Sequence, residues 1–204
     1  FQKQKIVLAT NNQGKLRELR SIFNEFQLEL ITQGELDIHA AAETGDSFLA
    51  NALQKARHAA RYTKYPVIAD DSGLMVDALN GEPGIFSARY AKENASDEQN
   101  NSYLLEKMFG IENRQARFHC CLVYIRSYKD PEPIVIQAEW RGLICESLSG
   151  NKGFGYDPIF FVPELNHTAA ELSIDIKNKF SHRGQANRIL VKQLLDEKLI
   201  VKQK

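Results

Sequence analysis

Short, continuous apolar blocks alternate along this 204-residue chain with longer stretches whose apolar residues recur every three or four positions. The first pattern reads as buried strands and the second as helices with one face on a core. Ile6-Val7-Leu8-Ala9 is the first strand block. The polar turn Thr10-Asn11-Asn12-Gln13-Gly14-Lys15 follows, then a helix with Leu16, Leu19, Ile22 or Phe23, and Phe26 on one face. Asp46 is placed to cap a second helix, whose stripe of Leu49, Ala52 or Leu53, Ala56, and Ala59 or Ala60 is small enough for close packing. Val67-Ile68-Ala69, bounded by Pro66 and Gly73, predicts a core strand that ends at Asp70 and Asp71. Asn80-Gly81 and Pro83-Gly84 punctuate a loop running to Arg89, and Ser96-Asp97 opens a third helix. Residues 116–126 and 134–141 read as the two strands of a hairpin turning at Asp130-Pro131-Glu132-Pro133. Ile159 to Val162 is another buried strand, and Ser181 is placed to cap a last helix with Ile189 or Leu190 and Leu194 or Leu195 on its apolar face. Strands interleaved with helices in this way predict an α/β fold.

Composition changes that picture little. Hydrophobic residues make up 43% and charged residues 25%, ordinary for one well-packed domain of this length, residues 1–204. Lys+Arg and Asp+Glu both total 26, so no bulk field favours nucleic acid or a membrane surface, and any anion site must be local. No apolar run approaches the ~20 residues of a membrane-spanning helix. The block Ile6–Ala9 is too short for a signal-peptide core. Three cysteines, Cys120 and Cys121 adjacent and Cys145 apart, suit neither a disulfide framework nor a Cys-x-x-Cys metal site, so a cytoplasmic setting is expected.

Three stretches carry chemistry. Asp70 and Asp71 leave a core strand together, and ionised carboxylates at such a place call for a cation; an ordinary Asp-Ser-Gly turn is the plainer alternative. The strand–loop–helix unit at Thr10–Lys15 offers backbone N–H groups, a helix start and the Lys15 ammonium to an anion, although it lacks the first glycine and the Ser/Thr of a Walker loop. In Gly150 to Pro158, Gly153, Gly155, Phe154 and Tyr156 combine close backbone approach with aromatic faces suited to a planar base; a glycine-rich hairpin whose rings close the core is the alternative. His182 and Arg183 occupy a first helical turn, where the macrodipole disfavours cations, so an anionic or acceptor-rich partner is expected beside them.

Taken in order, these stretches resemble the inosine triphosphate pyrophosphatase family. The matching residues are Leu8-Ala9-Thr10-Asn11 through Gly14-Lys15, Glu43-Thr44-Gly45 with Asn51-Ala52 and Lys55-Ala56, and Ala69-Asp70-Asp71-Ser72-Gly73. Pro83-Gly84-Ile85 with Ser87-Ala88-Arg89-Tyr90, Gly153-Phe154-Gly155-Tyr156-Asp157-Pro158 and Ser181-His182-Arg183-Gly184 complete the set. The resemblance implies an elongated mixed sheet flanked by helices, two lobes with a cleft between them, a homodimer, and Mg²⁺-dependent hydrolysis of ITP, dITP and XTP to monophosphate and pyrophosphate. It further implies that Thr10, Asn11, Asn12, Gln13, Gly14 and Lys15 hold the triphosphate, and that Asp71 is proton acceptor and metal contact. Ser72 would touch substrate, Phe154, Gly155, Tyr156 and Asp157 would line the nucleoside site, and Lys177, His182 and Arg183 would complete it. Many relatives carry an acid where this chain has Ala42, which leaves open whether Glu43 joins Asp71 as a metal ligand. Two other readings share these residues: a nucleotide sensor without catalysis, and a pyrophosphohydrolase of different base selectivity.

Overall fold

Ile6, Val7 and Leu8 are completely buried, as a strand covered on both faces requires. The computed structural model describes residues 4–202. This first strand, β1 (Gln4–Leu8), leads into helix α1 (Gln13–Phe23), strand β2 (Leu28–Thr32), helix α2 (Phe48–Ala60) and strand β3 (Val67–Val76). Helix α3 (Asp97–Lys107) and strands β4 (Gln115–Ile125), β5 (Ile134–Ile144), β6 (Phe160–Val162) and β7 (His167–Thr168) follow. Helices α4 (Ile174–Phe180) and α5 (His182–Asp196) complete the elements. The strands form one seven-stranded sheet in the order β2-β1-β3-β4-β5-β6-β7. Strand β1 runs parallel to β2 and β3, whereas β6 runs antiparallel to β5 and β7, so the sheet is mixed as expected.

The chain divides into two compact units, and the divisions fall inside β3, β4 and β5 and after the first residue of α5. Unit 1 takes the chain up to Asp71, Cys120–Ala138 and everything from Arg183 on; unit 2 takes Ser72–His119 and Glu139–His182. In unit 1, alternate strand residues serve two cores, because successive side chains point to opposite faces. Ile6, Leu8, Ile68, Cys120 and Leu122 pack against Leu16 and Leu19 of α1 and Leu190 and Leu194 of α5. Val7, Ala9, Val67, Ala69 and Cys121 pack against Ala52, Ala56 and Ala59 of α2, whose small stripe permits the close approach read from the sequence. Unit 2 has its own core, centred on Leu74, Val76, Phe118, Trp140, Tyr156 and Phe160.

Four local expectations are corrected. Strand β3 does not end at the acid pair: it continues through Ser72 and Gly73 to Val76, because Leu74 and Val76 are fully buried in unit 2 and their burial outweighs the local turn preference. Ser47, not Asp46, caps α2, its hydroxyl accepting the Ala50 N–H. Helix α1 starts at Gln13, capped by Asn12, so Gly14 and Lys15 belong to its first turn. Helix α1 ends at Phe23, so Phe26 lies beyond it rather than on its face, and strands β2 and β7 and helix α4 add to the predicted elements.

One core residue breaks the pattern of α5. Asn187 is completely buried, and among the described residues neither its side-chain oxygen nor its nitrogen has a hydrogen-bond partner. An orphaned buried amide costs about 1–3 kcal/mol. Asn187→Leu, which keeps the branching at Cγ, is therefore expected to stabilise the protein by about 1 kcal/mol, read as a higher urea midpoint at unchanged slope.

Candidate active site

Because Asp70 and Asp71 are consecutive in β3, they point to opposite faces of the sheet and meet different partners. On the face covered by α1 and α5, Asp70 is 2% exposed. Its Oδ2 pairs with the Lys15 ammonium at 2.7 Å and accepts from Arg183 Nε at 3.5 Å. The Arg183 guanidinium also pairs with Glu18, 4% exposed on α1, so two cations and two acids form a buried, charge-balanced chain. Burial alone would push the Asp70 carboxyl up, but Lys15, Arg183 and Lys55 together hold it well below the usual carboxylate range. Arg183 correspondingly titrates above its ordinary value: burial opposes its charge, and Glu18 and Asp70 more than offset that. Two acids thus offset the first-turn cation that the sequence marked as anomalous in α5.

On the face covered by α2, Asp71 meets a different set. Its Oδ1 accepts from Lys55 Nζ at 2.8 Å, and its Oδ2 accepts from Asn51 Nδ2 at 3.2 Å. Asn51 and Lys55 lie four residues apart on α2 and so share its sheet-facing side. The Asn51 side-chain oxygen also accepts the Gly45 N–H at 2.8 Å, which ties the loop carrying Glu43 to the same helix. A side chain at Gly45 would meet Asn51 Oδ1 at 2.7 Å and Ala50 Cβ at 2.8 Å, so that approach requires glycine. Lys55 Nζ reaches Glu43 Oε1 at 2.9 Å as well. Burial pushes the Asp71 carboxyl up, against the pull of Lys55 and Lys15, and Glu43 adds to the rise. Lys55 itself stays charged: burial opposes its charge, but Asp71, Asp70 and Glu43 raise it above its ordinary value.

The loop before α1 lies in the same unit. The Asn12 side chain accepts the Lys15 N–H at 3.1 Å, the Thr10 hydroxyl accepts the Asn12 N–H at 3.2 Å, and Gln33 donates to the Asn11 side chain at 3.2 Å. These bonds fix the course of Thr10 to Gln13, while Lys15 is turned onto Asp70.

The donor set around Asp71 fits a hard divalent ion. A single ammonium touches both Asp71 Oδ1 and Glu43 Oε1, so two carboxylate oxygens converge on the position of one cation. No group of three or more potential ligands occurs among the described residues. Mg²⁺ does not demand one, since it is commonly held by one or two carboxylates with phosphate oxygens and water.

Unit 2 carries the other predicted residues. Asp157 Oδ2 accepts the Phe154 N–H at 2.8 Å and the Lys177 ammonium of α4 at 2.5 Å. Lys177 Nζ lies 4.6 Å from the centroid of the Phe154 ring. Gly153 has φ +77°, and a side chain there would strike the Asp157 carboxylate at 2.0 Å. Of the two aromatic residues, Phe154 is half-buried, whereas Tyr156 is buried in the core with its hydroxyl donating to the Ser87 carbonyl at 2.8 Å. His182 is buried and stacks on Phe118, with ring centroids 4.8 Å apart and planes 11° from parallel. Ser72 begins this unit, directly after Asp71. Lys55, Glu18 and Asn51 were not singled out from the sequence as site residues. Their signal was available in the i, i+3 and i, i+4 spacings Lys15–Glu18 and Asn51–Lys55, which place polar residues on otherwise buried helix faces.

The mixed sheet thus presents two adjacent acids to opposite sets of cations, Lys15 and Arg183 on one face and Lys55 on the other, beside an amide-rich helix start. In comparison with known proteins, the Ham1 family model matches residues 6–193, and the chain belongs to that family. A dITP/XTP pyrophosphatase of Pectobacterium atrosepticum is 56% identical over 193 residues, covering 94% of this chain and 98% of the relative. Its counterpart in Salmonella typhimurium is 54% identical with the same coverage. The structure of a HAM1 protein from Coxiella burnetii superposes with a TM-score of 0.88 at 42% identity, covering 95% of this chain and 99% of that one. No helix among the described residues is long and apolar enough to cross a membrane.

Proposed function

We propose that this protein is a nucleoside triphosphate pyrophosphohydrolase that converts ITP, dITP and XTP to the monophosphate and pyrophosphate, removing them from the pool before they enter DNA or RNA. The observation that carries this reading is the split between the two acids. Neighbouring carboxyls whose environments push them in opposite directions divide their work: one stays a fixed anion and the other can exchange a proton. Asp70, pinned by Lys15 and Arg183, is the fixed anion; Asp71, pushed up and facing α2, is the proton acceptor.

In the reaction, Asp71 orients a water and takes its proton as the oxygen attacks the α-phosphorus. The bond from that phosphorus to the bridging oxygen breaks, and pyrophosphate leaves as one unit. A triphosphate repels an anionic nucleophile, so its charge must be offset first; Lys15 and Lys55, with the N–H groups of Thr10 to Gly14, serve that end. Asp71, with Glu43 as the second carboxylate, would hold Mg²⁺, which would supply further neutralisation of the triphosphate's charge. Ser72 contacts substrate beside the base. Phe154, Gly155, Tyr156, Asp157, Lys177 and His182 serve the nucleoside, with the Phe154 ring as stacking face and Tyr156 as the anchor of its loop. Arg183 acts through Asp70, and His182 is our choice for the donor facing the purine O6. Adenine presents an amino group there, which leaves that donor unpaired.

Selectivity of this kind is worth orders of magnitude. In a steady-state panel of dITP, XTP, ITP, GTP, ATP and dUTP, kcat/KM for dITP and XTP is expected to exceed that for ATP by at least about a hundredfold. Equal values for ATP and ITP would overturn the assignment of substrate, and absence of pyrophosphate release from any of them with Mg²⁺ would leave a sensor. The same reading carries a homodimer, checked by sedimentation equilibrium, and action in the cytoplasm, where the three free cysteines fit.

A further inference from the structure

The loop Gly153–Asp157 is held from a direction that the sequence motifs do not include. Gly155 donates its N–H to Asp97 Oδ2 at 2.6 Å and accepts from Asn101 Nδ2 at 2.9 Å on its carbonyl. Both partners stand one turn apart on α3, and Asn101 Nδ2 also donates to the Asp97 carbonyl at 2.8 Å, which fixes the amide's orientation. Both polar backbone groups of a single residue, more than fifty positions away in sequence, are therefore gripped by one helix face. Gly155 has φ +62°, so its conformation is set by these bonds with no side chain to help. Asn101 is 2% exposed and its Oδ1 has no partner among the described residues. A core position kept only for packing would carry an apolar residue instead, because an orphaned acceptor costs stability. What the asparagine supplies in return is the donor to Gly155.

We infer that Asp97 and Asn101 are positioning residues for nucleoside recognition: through Gly155 they fix the backbone that presents the Phe154 ring and the Asp157 carboxylate. The inference rests on the assignment of that loop to the nucleoside made above. Asp97 and Asn101 do not touch the substrate and act only through the loop. Released from α3, Gly155 regains glycine's full conformational range, and binding must bear the cost of ordering the loop.

The test compares Asp97→Ala, Asp97→Asn, Asn101→Leu and Phe154→Ala by ITP kinetics and thermal melting. Asp97→Ala and Asn101→Leu are expected to raise KM for ITP about tenfold, the size of one lost hydrogen bond to an ordered loop, with kcat changed less than about twofold. Asp97→Asn keeps an acceptor for the Gly155 N–H and is expected to return KM to within about twofold of the parent. Melting temperatures of Asp97→Ala and Asp97→Asn should match, which separates positioning from loss of fold. Equal KM values for Asp97→Ala and the parent, with Phe154→Ala raising KM, would overturn the inference alone. A parent-like KM in Phe154→Ala would withdraw the loop assignment and the inference together. A fall in kcat in step with melting temperature across the α3 variants would reduce the pair to a structural role.

Discussion

Asp71→Asn is expected to lower kcat by about a thousandfold, within the range for losing a positioned general base. The substitution keeps the shape of the side chain and an acceptor for Lys55; it removes the capacity to hold a proton from water together with one carboxylate charge, and it turns an NH2 towards the Asn51 donor. Binding should survive, so a catalytically dead variant that still binds ITP in the presence of Mg²⁺ by calorimetry is the result expected. The neighbouring Asp70→Asn should behave differently. Its carboxylate neutralises Lys15 and Arg183 in a buried setting, so its loss should appear first as reduced folding stability. Parent-like turnover in Asp71→Asn would remove Asp71 from its role and transfer the search to the Asp70 face.

The second large effect concerns Glu18. Glu18→Leu leaves Arg183 buried with one acid fewer, and breaking a buried ion pair from one side costs about 3–5 kcal/mol. Both side chains are nearly inaccessible, 4% and 5% exposed, so water cannot take the missing partner's place. Urea denaturation should therefore show a loss of about 3 kcal/mol or more at unchanged slope. A loss below about 0.5 kcal/mol would mean that the pair behaves as an exposed one. The pH dependence has a definite sign. Asp70 titrates below its unfolded value of 3.8, so its contribution is complete above that value and drains away as the pH falls beneath it.

The strand–helix alternation and the inward faces of α1, α2 and α5 were legible in the sequence because period and composition agree there. The acid pair was legible as a demand for cations. Its place in the strand was not, because Asp-Ser-Gly satisfies turn chemistry locally, and only the distant core around Leu74 and Val76 makes the chain continue straight. The partners of the pair were partly hidden for a related reason. Lys15 and Arg183 stood out at helix starts; Asn51 and Lys55 entered only as residues of the family resemblance, without a role, and Glu18, inside a regular helix, was not singled out. Asp97 was read only as part of the opening of α3 and Asn101 was not singled out; their bonds to Gly155 are long-range contacts that no local pattern announces.

The two-residue repeat of an extended chain has one more consequence. Chemistry that depends on which side of a ribbon a carboxylate faces is written in parity, and parity ignores side-chain identity. Deleting or inserting one residue between Val67 and Asp70 would leave every functional group present and exchange the duties of the two acids. At this place a change of length should be tolerated even less than an exchange between apolar residues at Val67 or Ile68.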